Sequence, residues 1–483
     1  MKKIHLNLSN LDEVFPDHFT PEQIAKGKTL FYKKLAEMSH RFYGGKIQTA
    51  PKVGVFGFNW FNVWYTPGVS QVSTMIRDDN IRSFELSNRG NLVGIVSDST
   101  RVLGDGNVTP PGGLGVMEGK ALLMKYLGGI DAVALCVDSR DEKGLNSAAK
   151  LIDYVKMCQP SFGAINLEDI SQPNCYRVLD VLREECEIPV WHDDAQGTAC
   201  VTLAGLINAL KLAEKEIGEV KITMLGAGAS NTTIARIIIA AGGDPQKITL
   251  FDSRGGLHRN RKDIKADPRF YRKWELCQST NPKCITDFAE SCKGADVLIS
   301  LSTPGPNIVK PEWIKSMADK AIVFACANPV PEIYPYAAKQ AGAFIVATGR
   351  GDFPNQVNNS LGFPGILKAA LMVRARKITD EMAIAAANSL ADFAANRGIS
   401  PDDIIPKMDE VNIFPHEAAN VAVEAVKSGI SRKALTYAEA YQLAKRDIEY
   451  SRSLLRAMID DGFIQTPSDE ILQETLDWAI RQV

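Results

Sequence analysis

The sequence predicts an α/β protein built on two parallel sheets, with helical segments at both ends of the chain. Three observations predict it. Short apolar runs alternate with longer helical patterns from Leu92 to Ala347, polar residues gather where the runs end, and a glycine turn joins one run to a helix. Such alternation builds a parallel sheet with crossover helices, and ligands bind outside the carboxyl ends of its strands.

The N-terminal helix is announced by Thr20-Pro21-Glu22-Gln23, a capping box with proline at the first helical position. Ile24, Phe31, Leu35, Met38 and Phe42 follow at near-helical spacing, and Gly44-Gly45 should end the helix. The first set of strands is expected at Leu92 to Ser97, Asp131 to Val137, Phe162 to Leu167 and Ile188 to Trp191. They end on Asp98, Asp138, Glu168-Asp169 and His192-Asp193-Asp194. The second set is expected near Lys221 to Leu225, Ile248 to Asp252, Val297 to Leu301, Ala321 to Cys326 and Ala343 to Ala347. After Phe363 the pattern is mostly helical. Tyr441, Ala444, Ile448, Leu455 and Ile459 form the apolar face of a long helix for packing or subunit contact.

Composition narrows the function. The chain has 483 residues, more than one ordinary core of about 100–200 residues holds. Hydrophobic residues make up 45%, and 55 basic side chains stand against 57 acidic ones, so a disordered chain and a nucleic-acid backbone binder are both disfavoured. No run reaches the roughly 18 apolar residues of a membrane span, and Met1 to Asn10 carry lysines without a following apolar segment. A cytoplasmic protein is expected. The nine cysteines form no CxxC pair and sit in apolar segments as core residues do, which suits a reducing compartment.

Lys221-Ile-Thr-Met-Leu-Gly226-Ala-Gly228-Ala229-Ser230-Asn231 runs from a strand through a glycine turn into a helix expected over Thr232 to Ala241. Gly226 and Gly228 let the backbone approach a pyrophosphate, whose charge the helix N-terminus stabilises, and Asp252 closes the next strand where an acid would meet ribose hydroxyls. This is a Rossmann-type dinucleotide-binding pattern with one departure. Asn231 holds the third glycine position, where its side chain either loosens the helix packing or meets a phosphate. Ser253 and Arg254 would suit a 2′-phosphate, favouring NADP over NAD, although solvated surface residues read the same way.

Asn166-Leu-Glu168-Asp169 and His192-Asp193-Asp194-Ala-Gln196-Gly197-Thr198 gather carboxylates at neighbouring strand ends. They repel one another unless protonated, solvated or bridged by a divalent cation, and oxygen donors favour magnesium or manganese. Helix N-caps and solvated loops account for the same residues. His192 reads as a hydrogen-bonded neighbour rather than a ligand. Arg101, just past a strand end, has a fork suited to a carboxylate, and Lys120 begins a helix behind a glycine-rich run. Taken singly, Lys120 reads as a surface lysine and Tyr65 as a half-buried packing residue.

In this order the motifs resemble the malic enzymes. The set comprises Tyr65-Thr-Pro-Gly-Val, Glu118-Gly-Lys120, Glu168-Asp169, Asp193-Asp194-Ala-Gln-Gly-Thr, Gly226-Ala-Gly228, Asn328-Pro329 and Asn358-Asn359-Ser360 leading to Phe363-Pro-Gly365. The likeness spans about Tyr65 to Gly365 and is to the compact microbial form. It implies that Glu168, Asp169 and Asp194 bind the metal, with Asp193 supporting them, that Lys120 is the general base and Tyr65 the general acid. It also implies that Arg101 holds a malate carboxylate, with Asn328 and Asn359 near substrate and nicotinamide. The implied activity is metal-dependent oxidative decarboxylation of malate with NADP or NAD. A malolactic reaction and, at a further remove, a non-catalytic sensor are the alternatives. The implied architecture is a substrate and metal domain over residues 1–192, a Rossmann-type domain inserted over 193–358, and a segment over 359–483 that first returns to the substrate domain. Homo-oligomers are expected.

Overall fold

The computed structural model of the chain describes residues 3–102 and 104–483; Met1, Lys2 and Leu103, the last within the motif that follows Arg101, lie outside it. Two compact units are present. One holds the chain up to Lys52 together with Ser451–Val483, and the other holds Val53–Tyr450.

In the first unit the helix Pro21–Tyr43 starts on the expected capping box: Gln23 N–H donates to Thr20 Oγ1 at 3.2 Å and Thr20 N–H to Gln23 Oε1 at 2.9 Å. It ends at Gly44, whose φ of 69° is left-handed. Phe31 packs with Leu472 and Leu476 of the helix Asp469–Arg481, while Phe42 is exposed.

The second unit opens with the short helix α1 (Phe61–Trp64) and then α2 (Val69–Asp78). Strand β1 (Leu92–Ser97) leads to α3 (Leu114–Gly128) and β2 (Asp131–Cys136), followed by β3 (Ala164–Leu167) and β4 (Val190–His192). These four strands are all parallel, in the order β2-β1-β3-β4. The order reverses direction between β1 and β3, the place where an α/β sheet opens a crevice at its carboxyl edge.

After α4 (Thr198–Ala213) comes the second sheet. Its elements are β5 (Ile222–Leu225), α5 (Ala229–Ala240), β6 (Ile248–Asp252), β7 (Gly255–Gly256), β8 (Val297–Ser300), β9 (Ile322–Ala325) and β10 (Ile345–Thr348). The order is β10-β9-β8-β5-β6-β7, parallel except for the antiparallel β7. This is the doubly wound Rossmann arrangement, with its switch point between β5 and β8. The chain then returns to the first sheet, where α6 (Phe363–Met372) packs on α3 and β3. α7 (Ile413–Lys427) packs on α6.

The strands lie within a few residues of their expected positions because parallel strands covered on both faces read as continuous apolar runs. α3 starts earlier than expected: Pro111–Gly113 form a 3-10 turn and the helix begins at Leu114, so Lys120 sits two turns inside it. α5 begins at Ala229 rather than Thr232. In the long helix Tyr437–Asp460, Ala444 and Ile448 are buried, but Ile459, expected on the same apolar face, is 42% exposed. Among the described residues no helix is long and apolar enough to cross a membrane, and the nine cysteines are free thiols.

Candidate active site

The loops at the carboxyl ends of β1, β3 and β4 are tied together by buried polar groups. Asp98, at the end of β1, accepts from Thr100 Oγ1 at 2.6 Å and from Ser139 Oγ at 3.0 Å; burial pushes its carboxyl pKa up. Thr100 Oγ1 accepts in turn from Ser171 N–H at 2.9 Å, and Arg101 N–H donates to the Asp169 carbonyl at 3.0 Å. The backbone of Arg101 is thereby fixed beside β3, with its side chain exposed. Asp138 is not part of this knot: it is exposed and paired with Arg140, which holds its carboxyl down to about 2.

Glu168 and Asp169 follow β3 and are 2% exposed. Asp194 lies in the π-helical turn Asp193–Gly197 after β4, and its Oδ2 accepts from Asp169 N–H at 2.7 Å. Glu168, Asp169 and Asp194 each offer a carboxylate oxygen, all within 4.8 Å of one another. Glu168 and Asp169 are thus buried rather than solvated, and the turn carries no side-chain N-cap. Burial first, and then the charges of Asp194, Asp193 and Asp169, push the Glu168 carboxyl well above the usual carboxylate range, against the pull of Lys120. Clustered oxygen donors under mutual repulsion fit a divalent cation of the magnesium or manganese type.

Lys120 reaches this cluster from α3. Its Nζ donates to Asp193 Oδ2 and lies 3.2 Å from Glu168 Oε1 and 4.5 Å from the centre of the Phe363 ring. It is a buried lysine, not a surface one. Burial alone would lower its pKa, but the attraction of Asp193, Glu168 and Asp194 wins and raises it, so these carboxylates hold Lys120 charged. Asp193 is fully buried and also accepts from Trp191 Nε1 at 3.1 Å. Asn166 Nδ2 donates to Glu168 Oε2 at 2.9 Å, and Gln196 Oε1 accepts from His192 N–H at 3.0 Å. Both fix the cluster, and neither carried a role in the sequence reading. The His192 ring is neutralised by burial, and among the described residues neither ring nitrogen makes a hydrogen bond, contrary to the expected hydrogen-bonded neighbour. His192 Nδ1 instead lies 3.8 Å from Asp194 Oδ2, too far for a hydrogen bond.

Asn359, in the turn Asn359–Leu361, is brought to the same place: a Cβ on Gly197 would meet Asn359 Cβ at 3.3 Å and Asp193 Oδ1 at 2.0 Å. Only glycine lets these groups converge. Asn328 is exposed past the end of β9, and Gly104, in the loop after β1, approaches its carbonyl closely. Tyr65 is not seated against Lys120. It is 72% exposed rather than half-buried, and no hydrogen bond joins the two side chains among the described residues.

In the second sheet Gly226 has a φ of 96°, and a Cβ there would lie 2.3 Å from the Leu301 carbonyl. Gly228, before α5, faces open space, and the helix start has no side-chain cap, an arrangement that fits a pyrophosphate. Asn231 is buried in the first turn of α5. Its buried Nδ2 donates to the carbonyls of Leu225 at 2.9 Å and Gly226 at 2.8 Å, pinning the turn. Ser230 Oγ donates to the Asp194 carbonyl at 2.9 Å, linking the nucleotide turn to the acidic cluster. Asp252 is paired bidentately with Arg261 at 3.0 and 2.8 Å, while Arg254 stands 73% exposed beside exposed Ser253. Buried Glu332 accepts from Ser302 N–H at 2.8 Å and Ala327 N–H at 3.0 Å, joining the loops after β8 and β9.

A dinucleotide-type sheet beside a second parallel sheet with a cation-ready carboxylate cluster defines a class of α/β oxidoreductase. The chain belongs to the malic enzyme family. Residues 57–183 match the family's N-terminal domain and residues 195–430 its NAD-binding domain. It is similar to the NAD-dependent malic enzyme of Geobacillus stearothermophilus, with 40% identity over 83% of this chain and 81% of that one. It is also similar to the bifunctional malic/malolactic enzyme of Bacillus subtilis, with 38% identity over 81% of this chain and 93% of that one. The crystal structure of Entamoeba histolytica malic enzyme superposes with a TM-score of 0.98 at 63% identity, covering 100% of this chain and 99% of that one. Relatives include both NAD-dependent and NADP-dependent malic enzymes.

Proposed function

We propose that this chain oxidatively decarboxylates (S)-malate to pyruvate and carbon dioxide while reducing a nicotinamide nucleotide. The observation that carries the proposal is Lys120 Nζ held between Asp193 and Glu168, beside the oxygens of Glu168, Asp169 and Asp194. Those three carboxylates would hold magnesium or manganese. A divalent cation there supplies fixed positive charge where negative charge develops on the substrate, and the nicotinamide accepts the hydride.

Lys120 takes the proton of the malate C2 hydroxyl. It acts as a base only when neutral, and what holds it charged is the surrounding carboxylates. Once their charge is balanced, burial dominates and favours the neutral amine. Asp193, anchored by Trp191, orients the amine, and the Phe363 ring keeps bulk water from it. Arg101 pairs with a malate carboxylate, and Asn328 and Asn359 flank substrate and nicotinamide. Tyr65 returns a proton to C3 of the pyruvate enolate and is recharged from Lys120. Gly226, Gly228, Ala229, Ser230 and Asn231 form the pyrophosphate turn. Arg261 offsets the charge of Asp252, and Arg254, exposed with one nitrogen 3.4 Å from Asp263, stands beside exposed Ser253 where a 2′-phosphate would lie, which supports NADP as the preferred nucleotide.

The test is direct: malate-dependent nucleotide reduction and carbon dioxide release, with manganese and then with a chelator. Lys120→Ala should abolish both while nucleotide binding persists; normal turnover in that variant rejects the assignment. The similarity to a bifunctional malic/malolactic enzyme keeps a second reading, malate to lactate. Carbon dioxide release without net accumulation of reduced nucleotide would select it.

A further inference from the structure

We propose that the cavity behind the turn Asp193–Gly197, where the first sheet's helix Asn174–Glu185 faces α5, is a binding site for a small monocarboxylate with an apolar body, separate from the malate site.

The cavity measures about 210 Å³, more than the roughly 150 Å³ apolar cavity that admits benzene. Elements of both sheets bound it. Leu179 comes from the helix Asn174–Glu185, Arg236 and Ile239 from α5, Leu276 from the helix Tyr271–Ser279, and His192 and Gln196 from the end of β4 and the turn after it. Neither Lys120 nor any of Glu168, Asp169 and Asp194 lines it. An apolar wall with a few converging polar groups is the general form of a small-molecule site.

The polar groups here lack partners. Both ring nitrogens of His192, Nε2 of Gln196 and Nε of Arg236 are buried without a hydrogen bond among the described residues. His192 and Gln196 are each 1% exposed, so bulk water does not reach them. Buried polar atoms in folded proteins are ordinarily paired, and a cluster of orphans around one cavity points to a partner that enters it. The orphans are mostly donors: two N–H on the Gln196 amide, one on Arg236 Nε and one on the neutral His192 ring, which adds a single acceptor nitrogen. The partner therefore brings acceptor oxygens.

The acids near the cavity do not serve these donors, because they are already occupied. Asp180 accepts from the Tyr271 hydroxyl and from Arg272, and Asp380 accepts from Arg236 Nη2 at 3.0 and 2.9 Å. Glu275 is exposed, with its carboxylate 3.8 Å from Arg272. Arg183, Arg236 and Arg272 balance Asp180, Asp380 and Glu275, so a second negative charge on the ligand would enter without a counter-charge. Burial also disfavours the charge on Arg236, against the pull of Asp380, and an anion beside Nε relieves that. One carboxylate meets the donors, and the rest of the ligand lies against Leu179, Ile239 and Leu276.

The probe is 4-bromobenzoate, titrated into the full chain by calorimetry with malate at saturation. One molecule per chain should bind. The neutral isostere 4-bromobenzamide should bind about tenfold more weakly or worse, the loss of one charge-assisted hydrogen bond. Arg236→Lys keeps a cation beside Asp380 but removes Nε–H, and should weaken 4-bromobenzoate about as much. Ile239→Trp fills the apolar end and should abolish binding. A measurement free of variants is the anomalous signal of bromine in soaked wild-type crystals, expected between Leu179, Ile239 and Leu276. Four results would overturn the proposal: no binding of 4-bromobenzoate, full displacement by malate, equal affinity for the amide, or bromine located elsewhere. Unchanged affinity in both Arg236→Lys and Ile239→Trp would do the same.

Discussion

Gly197→Ala adds one methyl group at the most crowded point of the site. The new Cβ would lie 2.0 Å from Asp193 Oδ1 and 2.9 Å from its Cγ, with Asn359 Cβ at 3.3 Å on the other side. Asp193 cannot simply rotate away, because one oxygen holds Lys120 and the other accepts from Trp191 Nε1. Relief requires the carboxylate, or the backbone of the turn, to retreat by roughly 1 Å. Overpacking of this kind costs about 1–3 kcal/mol. A 1 Å displacement of a positioning group lowers turnover by about a hundredfold. The added methyl meets Asp193 and Asn359 rather than the Gly226–Gly228 turn, so nucleotide affinity should fall far less than turnover. Urea unfolding, malate turnover and nucleotide titration on one preparation separate these effects. Wild-type stability and turnover in Gly197→Ala would refute the claim that Asp193 positions Lys120.

Three further outcomes follow from other contacts. Asn231→Ala removes two bonds to turn carbonyls and should cost about 1–3 kcal/mol in urea unfolding, with weaker nucleotide binding; unchanged nucleotide affinity would contradict the pinning role. Arg254→Ala should weaken NADP binding about tenfold and leave NAD binding unchanged, since only the former carries a phosphate for the exposed guanidinium; an equal loss for both removes the argument for NADP. Glu417 in α7 is fully buried, among the described residues its carboxyl has no hydrogen-bond partner, and burial pushes its pKa well above the ordinary 4.5, favouring the protonated form in the folded chain. The folded state therefore binds a proton that the unfolded state has lost above pH 4.5, and stability drains away as pH rises from there toward the folded pKa. The loss is up to about 1.4 kcal/mol per pH unit crossed. Glu417→Gln should be near neutral at pH 5 and stabilising at pH 8; the reverse order of unfolding midpoints would refute it.

Much of the fold was legible because the strands are doubly covered: Leu92–Ser97 and Ile248–Asp252 are apolar runs that stop at a polar residue, and Gly226 marks a turn only glycine can make. The start of α3 was not, because Gly112-Gly113 reads as a loop yet supplies a 3-10 turn. Positions fixed by distant partners were also hidden. Arg261 reaches back to Asp252, Asn231 folds onto its own turn, and Asn359 meets Gly197 across a long stretch of intervening sequence. Burial at the acidic cluster is a tertiary property: local sequence allows a solvated loop at Glu168-Asp169, and only the packing of β1, β3 and β4 closes it. Tyr65 is the opposite case, a motif residue whose motif says nothing of its exposure.

The central claim is that Glu168, Asp169 and Asp194 act together as a cation site serving Lys120. Manganese titration of the purified chain, followed by calorimetry and by the spin-resonance signal of the free ion, tests it most directly. One ion per chain should bind, and Glu168→Gln or Asp194→Asn should weaken it at least as much as the about 10–100-fold that losing an outer partner costs. Unchanged manganese affinity in both variants would contradict the account.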